Sequence, residues 1–382
     1  MVKLVVYFLM HVGIDITSII YGRGVSFYTS NLVRALAQTK NIQLSLYGSN
    51  LRQRKILTKM ASALSPSSSV VVQSYPPSVL AKLWQLGLNH IKKSLPQIDV
   101  FHSWDWLQPP DKNLPLVSTI HDLAILKYPA AAHPQVLKMQ QRSWKILQDR
   151  QAEIITPSIA TKKDVVDLLQ IPTHRVHVIH EALPEENVTA AEKLTEGRAE
   201  QIKTRLQLNK PYLLFIGTSE PRKNLPRLIE AWQTLAADYE LIIAGAAGWE
   251  DLSQFKRQKN LRFLGRVSAE ELSVLYSEAE AFCYPSLDEG FGLPILEAFY
   301  YGVPVLTSNR SSMAEVAGNA ALLVNPDSVD DIRRGLEQIL GENKTEQQER
   351  LRKMILRLHL FSWKQAASET IKVYQAAINH HA

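Results

Sequence analysis

The chain has 382 residues, 46% of them hydrophobic and 21% charged, with one cysteine, Cys283, and a formal net charge of +6. That length predicts two domains, and the composition excludes a disordered chain, a collagen and a small disulfide scaffold. A single cysteine allows no intrachain disulfide, which suits a reducing, cytoplasmic setting. The charge is uneven: residues 1–150 hold 17 Lys+Arg against 6 Asp+Glu, a balance of +11, whereas residues 206–382 hold 19 against 22, a balance of −3. The first half is therefore expected to meet an anionic partner. Its basic residues are dispersed rather than blocked, so nucleic acid is not the expected one.

In chain order, Leu4–Phe8 reads as a first buried strand rather than a signal-peptide core, because one charge precedes it and His11, Gly13 and Asp15 interrupt it. No run reaches the ~18 apolar residues needed to span a bilayer. Gly22-Arg23-Gly24 follows, then a helix over 25–37. Residues 79–93 (VLAKLWQLGLNHIKK) are basic and apolar; as one helix they would either pack on a sheet or lie on an anionic membrane surface. Strands are predicted at Val100–His102, Leu116–Ile120, Ile154–Thr156 and Val176–Ile179, and helices over 134–150 and 160–169, the latter capped by Ser158. Residues 184–205 are polar and read as a linker merging into a helix. A second run has strands at Tyr212–Ile216, Leu241–Ala244, Leu261–Leu264, Ala281–Tyr284, Pro304–Leu306 and Leu322–Val324, with helices between them. Strands alternating with helices predict parallel sheets, hence an α/β chain of two doubly wound domains with a cleft between them. Ligands in such sheets collect at the carboxyl ends of the strands.

Four segments at those ends carry candidate chemistry. Gly22-Arg23-Gly24 would let backbone amides approach an anion, although a plain tight turn explains it equally well on its own. In Gly217-Thr218-Ser219-Glu220-Pro221-Arg222-Lys223-Asn224, the cations Arg222 and Lys223 stand at a helix start, a place unfavourable to cations unless an anion such as a diphosphate shares it. The segment Pro285–Ala298 (PSLDEGFGLPILEA) follows a strand, and its Pro294 suits the first turn of a helix. Gly290 and Gly292 would leave the amides in front of that helix open to a phosphate, and Glu297, one turn in, is suited to accept hydrogen bonds from vicinal sugar hydroxyls. His121, at the end of a strand, would face the cleft and donate to a sugar hydroxyl or a developing charge.

These segments resemble glycosyltransferase family 4, the retaining nucleotide-sugar transferases. The resemblance runs through GRGVSFYTSNLVRAL, STIHDLA, ITPSIATKKDVVDLLQIPTHRVHVIHEAL, FIGTSEPRKNLPRLIEAW, the paired-glutamate core EGFGLPILE and the closing FSWKQAASETIKVYQ. It implies a GT-B fold. An acceptor-binding domain over 1–190 would face a nucleotide-sugar-binding domain over 206–360, with a last helix near 362–380 crossing back onto the first. By the same likeness, His121, Glu289 and Lys223 would act at the reacting centre. Gly24, Arg222, Lys223, Gly290, Phe291, Gly292, Leu293 and Glu297 would hold the donor. Thr218 stands where many relatives have arginine, a charge that Arg222 would supply; Ala314 replaces a usual proline, and His180-Glu181-Ala182 a common Asn-Gly pair.

The reaction implied is transfer of a hexose, of mannose or glucose type, from a nucleoside diphosphate sugar to a hydroxyl with retention, in polysaccharide or glycolipid synthesis. No Asp-x-Asp metal handle occurs in the chain, and no cofactor or metal is expected; His380 and His381 are expected to be solvated. The form of the Arg222-Lys223 segment resembles users of GDP-mannose more than of UDP-sugars. The acceptor would be a saccharide, lipid-linked or phosphorylated molecule, and the enzyme cytoplasmic, with the inner face of the membrane as a peripheral site. A noncatalytic nucleotide-sugar-binding protein, or a sugar-nucleotide epimerase on the same fold, are the alternatives.

Overall fold

The computed structural model describes residues 9–22, 24–129 and 134–381. The expected strand Leu4–Phe8 and Arg23 of the glycine loop lie outside the described residues. Two all-parallel sheets form. The first has seven strands in the order β3-β2-β1-β4-β5-β6-β7. These are β1 Met10–Asp15, β2 Ile42–Ser49, β3 Ser69–Gln73, β4 Val100–Trp104, β5 Leu116–Thr119, β6 Glu153–Thr156 and β7 Val176–Val178. The second has six in the order β10-β9-β8-β11-β12-β13: β8 Tyr212–Ile216, β9 Glu240–Ala244, β10 Leu261–Gly265, β11 Ala281–Tyr284, β12 Val305–Ser308 and β13 Leu322–Val324. Both are doubly wound, and the strand order reverses between β1 and β4 and again between β8 and β11, the two places where such sheets open a crevice.

The central strands of the second sheet are apolar because helices cover both faces; β8 (YLLFI) and β11 (AFCY) are buried almost end to end. Sequence patterning missed β1, which holds His11, Gly13 and Asp15, and β2 and β3, whose Ser45, Gly48 and Ser69 break the apolar run. The Ser69 hydroxyl resolves that polarity by donating to Ser45 Oγ across the strands at 2.8 Å.

Three expectations are corrected. Residues 79–93 are not one helix: the helix Pro77–Gln85 stops before Gly87, which is left-handed at φ 69°, and only a short turn, Ile91–Ser94, follows. Residues 184–205 are not a linker but two helices, Glu185–Lys193 and Glu196–Leu206. Arg34 pairs with both Glu185 (3.0 Å) and Glu186 (3.1 Å), tying the first of them to the helix Gly24–Ala37. His380 is not merely solvated: its Nδ1 meets Glu153 at 2.7 Å, and His177 takes the other oxygen of that buried carboxylate, also at 2.7 Å.

The last helix, Trp363–His381, packs into the core of the first sheet through Trp363, Ala366, Ala367, Val373, Tyr374 and Ala377. Tyr374 Oη lies 2.7 Å from Nδ1 of the buried His102 on β4, and the Trp363 indole donates to the Leu183 carbonyl at 3.0 Å. The chain thus returns to the first sheet after building the second. Among the described residues no helix is long and apolar enough to cross a membrane.

Candidate active site

The two loops at the switch point of the second sheet bring the central cluster together. After β8, Pro221–Lys223 forms a single 3-10 turn that places Arg222 and Lys223 side by side. After β11, the loop carrying Asp288 and Glu289 runs into the helix Leu293–Tyr300. Glu289 bridges the two cations: Oε1 accepts from Lys223 Nζ at 2.6 Å, and Oε2 accepts from the Arg222 guanidinium. Lys223 also donates to Tyr284 Oη at 2.7 Å, and Arg222 to Glu220 at 2.8 Å and to the Asp288 carbonyl at 3.2 Å. Burial would push the Glu289 carboxyl up, but the adjacent Arg222 and Lys223 charges outweigh it and hold it down at about 2. Burial lowers Lys223 from its ordinary value, and the Glu289 charge opposes this only in part. The result is a dry, charge-dense spot able to receive a strongly anionic group.

The helix after Glu289 starts as the sequence implies. Gly292 caps it at φ 111°, a left-handed conformation that favours glycine, and Pro294 occupies the first turn, where no amide is needed. Leu293 is the first helical residue. Phe291 is buried, with its ring 5.6 Å from Phe361 and 6.1 Å from His180. It is a packing residue here, part of the second sheet's core.

Glu297 lies one turn into the helix, as expected, but among a different set of partners. Tyr276 donates to it at 2.8 Å and Asn187 Nδ2 at 2.6 Å. Burial raises its pKa, opposed by these two hydrogen bonds. One donor on each oxygen leaves acceptor capacity for two further hydroxyls. The structure thus unites Arg222, Lys223 and Glu289 by direct contact, and carries Glu297 on the helix that the Glu289 loop runs into. Gly24 opens the helix after β1, with empty space where a Cβ would stand, so packing does not require glycine there.

His121 follows β5 and meets the second half across the cleft. A Cβ on Gly290 would stand 2.1 Å from the His121 carbonyl oxygen, so glycine is what lets these two backbones touch. Ser158 Oγ donates to the Gly290 carbonyl at 2.7 Å, and Thr161 Oγ1 at 3.1 Å. Lys127 pairs with Asp288 at 2.9 Å across the same seam. The imidazole of His121 sits against the edge of Tyr28 (4.7 Å between centroids) and parallel to Trp104 (6.1 Å).

Sequence reasoning missed Glu181, Asn187, Tyr276 and Tyr284. Tyr284 directly precedes the Pro285–Ala298 segment and Glu181 lies in His180-Glu181-Ala182, but their partners, like those of Asn187 and Tyr276, are set only by folding. Among the described residues no cluster of three or more His, Cys, Asp or Glu is arranged to hold a metal.

Known proteins match this architecture. Residues 22–186 match the model of glycosyltransferase family 4, and residues 198–355 that of glycosyl transferases group 1. O-antigen chain mannosyltransferase B of Escherichia coli is 33% identical over 271 residues, 68% of this chain and 70% of that protein. O-antigen chain mannosyltransferase RfbU of Salmonella typhimurium is 30% identical over 222 residues, 55% of this chain and 56% of that one. Among solved structures, Anabaena Alr3699/HepE in complex with UDP-glucose superposes with a TM-score of 0.68 at 14% identity, over 96% of this chain and 100% of that one, a likeness of fold. The two facing sheets, the returning helix and these matches place the chain in glycosyltransferase family 4, the group 1 glycosyltransferases, on a GT-B fold.

Proposed function

We propose that this hexosyltransferase of polysaccharide synthesis moves mannose or glucose from a nucleoside diphosphate sugar to a hydroxyl, with retention at the anomeric carbon. The observation that carries the reading is the pair of cations, buried Lys223 and half-buried Arg222, held by Glu289 at the switch point of the second sheet. The bond between the anomeric carbon and the β-phosphate oxygen breaks, and the acceptor oxygen attaches on the same face. The acceptor proton passes to the departing phosphate. Lys223, Arg222 and the amides at the start of the helix Leu293–Tyr300 stabilise the leaving charge, the type of term that counts most in such steps. Glu289 positions; it is fully engaged by two cations and is not cast as a nucleophile.

In this reading Glu297 holds the ribose hydroxyls, Gly24 presents its amide to a phosphate, and His121 contacts the transferred sugar. GDP-mannose is the donor favoured over UDP-sugars, on the form of the Arg222-Lys223 segment; the mannosyltransferase relatives support the sugar. No metal is assigned a step. The positive balance of the first half suits a phosphate-bearing or lipid-linked acceptor at an anionic membrane face.

Thermal unfolding against GDP-, UDP- and ADP-sugars, with and without magnesium, tests this, because a ligand bound only to the native state raises its melting temperature. The expected result is a magnesium-independent rise with one nucleotide, lost in Glu297→Ala. No rise with any donor would remove the nucleotide-sugar site from the second sheet.

A further inference from the structure

The segment that leaves β7 carries two adjacent residues with opposite allegiances. His180 Nε2 reaches the second half and meets Glu315 at 2.7 Å. Glu181 turns back into the first half and meets His121 Nδ1 at 3.3 Å. Glu181 is buried, at 5% exposure, and no Arg or Lys among the described residues pairs with it. Among the described residues its one ionic partner is the imidazole. The other ring nitrogen of His121, Nε2, is buried and bonds nothing among the described residues. Tyr28 and Trp104 wall the ring, so its orientation is held while one polar atom is left unused.

We propose that Glu181 is a positioning residue for His121. It fixes the proton on Nδ1 and favours the doubly protonated ring, so that Nε2–H is presented as a charged donor to an oxygen of the bound donor sugar or its phosphate. The proposal rests on the transferase reading above and deepens it. A carboxylate behind an imidazole sets which nitrogen carries the proton and stabilises the cation, and a charged donor is stronger than a neutral one.

The surroundings agree. Burial alone would lower the pKa of His121, but the hydrogen bond and charge of Glu181, then the charges of Asp105 and Asp122, outweigh it and raise it. Burial raises Asp105 to about 7, opposed by the His121 charge. The buried imidazole of His102 is held down at about 3 by burial and by the His121 charge, so it stays neutral and does not compete. Tyr28, whose hydroxyl lies 3.5 Å from Thr119, stays protonated because burial raises it.

The test uses the full chain in which the histidines carry a carbon-13 label, with the His121 signal assigned from His121→Gln. The signal is followed against pH in the native protein, Glu181→Gln and Glu181→Asp. In parallel, kcat/KM is measured against pH with the donor that raises the melting temperature. In the native protein His121 should titrate above the ordinary histidine range, and kcat/KM should fall on the alkaline side as it deprotonates. In Glu181→Gln both should move to lower pH, with kcat/KM at neutral pH falling on the order of 10- to 100-fold, the scale of losing one hydrogen bond to a charged group. Glu181→Asp, which keeps the charge, should return the alkaline limb toward the native position. An unchanged His121 titration in Glu181→Gln overturns the proposal. So does a moved titration with an unmoved alkaline limb, since Glu181 would then serve the fold alone. If no nucleotide sugar binds the native protein, the transferase reading fails instead, and the titration still reports on the Glu181–His121 pair.

Discussion

Replacing Glu289 with Gln leaves buried Lys223 and half-buried Arg222 with no carboxylate between them, Arg222 keeping only Glu220. Lys223 and Glu289 are only 7% and 8% exposed, and their 2.6 Å contact is backed by the Arg222 guanidinium on the second oxygen. Removing one member of a buried ion pair costs about 3–5 kcal/mol, because the partner charge is stranded. A second route agrees in scale. The carboxyl is held down from an ordinary 4.5 to about 2; at about 1.4 kcal/mol per pH unit, that is on the order of 3 kcal/mol. A depressed folded-state pKa stabilises fully above the ordinary value and loses that effect as pH falls. The advantage of native over Glu289→Gln should therefore be constant near neutrality and shrink below about pH 4.5. Urea unfolding of both proteins from pH 7 down to pH 3 measures it. At pH 7, about 3 kcal/mol corresponds to roughly 6–12 °C in the melting of a domain of 150–250 residues. Equal stabilities at pH 7, or a gap that ignores pH, would refute the reasoning.

Other consequences are equally direct. Gly290→Ala places a Cβ 2.1 Å from the His121 carbonyl oxygen, backbone against backbone. The cleft should then fail to close in small-angle scattering and transfer should be lost, while each half melts near its native temperature. Lys223→Met, which keeps the buried stem without the charge, should abolish the donor-induced melting shift and lower stability by a few kcal/mol at most, since Glu289 keeps Arg222; a retained shift would put the diphosphate elsewhere. Tyr374→Phe leaves His102 Nδ1 without its 2.7 Å partner and should destabilise the chain by about 1–3 kcal/mol in urea unfolding, with the nucleotide response unchanged.

Much of the second sheet was legible from the chain alone. Its strands β8, β9 and β11 are short apolar runs bounded by glycine or proline, and buried parallel strands look like that because both faces are covered. Ser158 was readable as a helix cap, and its hydroxyl does accept from the Thr161 amide. Its second bond, to the Gly290 carbonyl, was not, since it spans 132 positions of sequence. β2 and β3 escaped because buried Ser45 finds its Ser69 partner only after the strands pair. The basic stretch at 79–93 misled because charge and apolarity fit a helix whether or not a left-handed glycine divides it.

The sequence by itself determined two alternating α/β runs, a glycine-rich helix start after a strand, a basic pair after another, and the family those residues belong to. These are local properties, written in spacing and in the backbone freedom of a few residues. Tertiary structure alone decided that Arg222 and Lys223 share Glu289, that Glu297 answers to Tyr276 and Asn187, and that Glu181 stands behind His121. Each joins residues far apart in the chain, and the partners meet only because two parallel sheets aim their loops into one cleft. Burial there magnifies charge, so the same side chains that would be ordinary in water acquire shifted pKa values and defined partners.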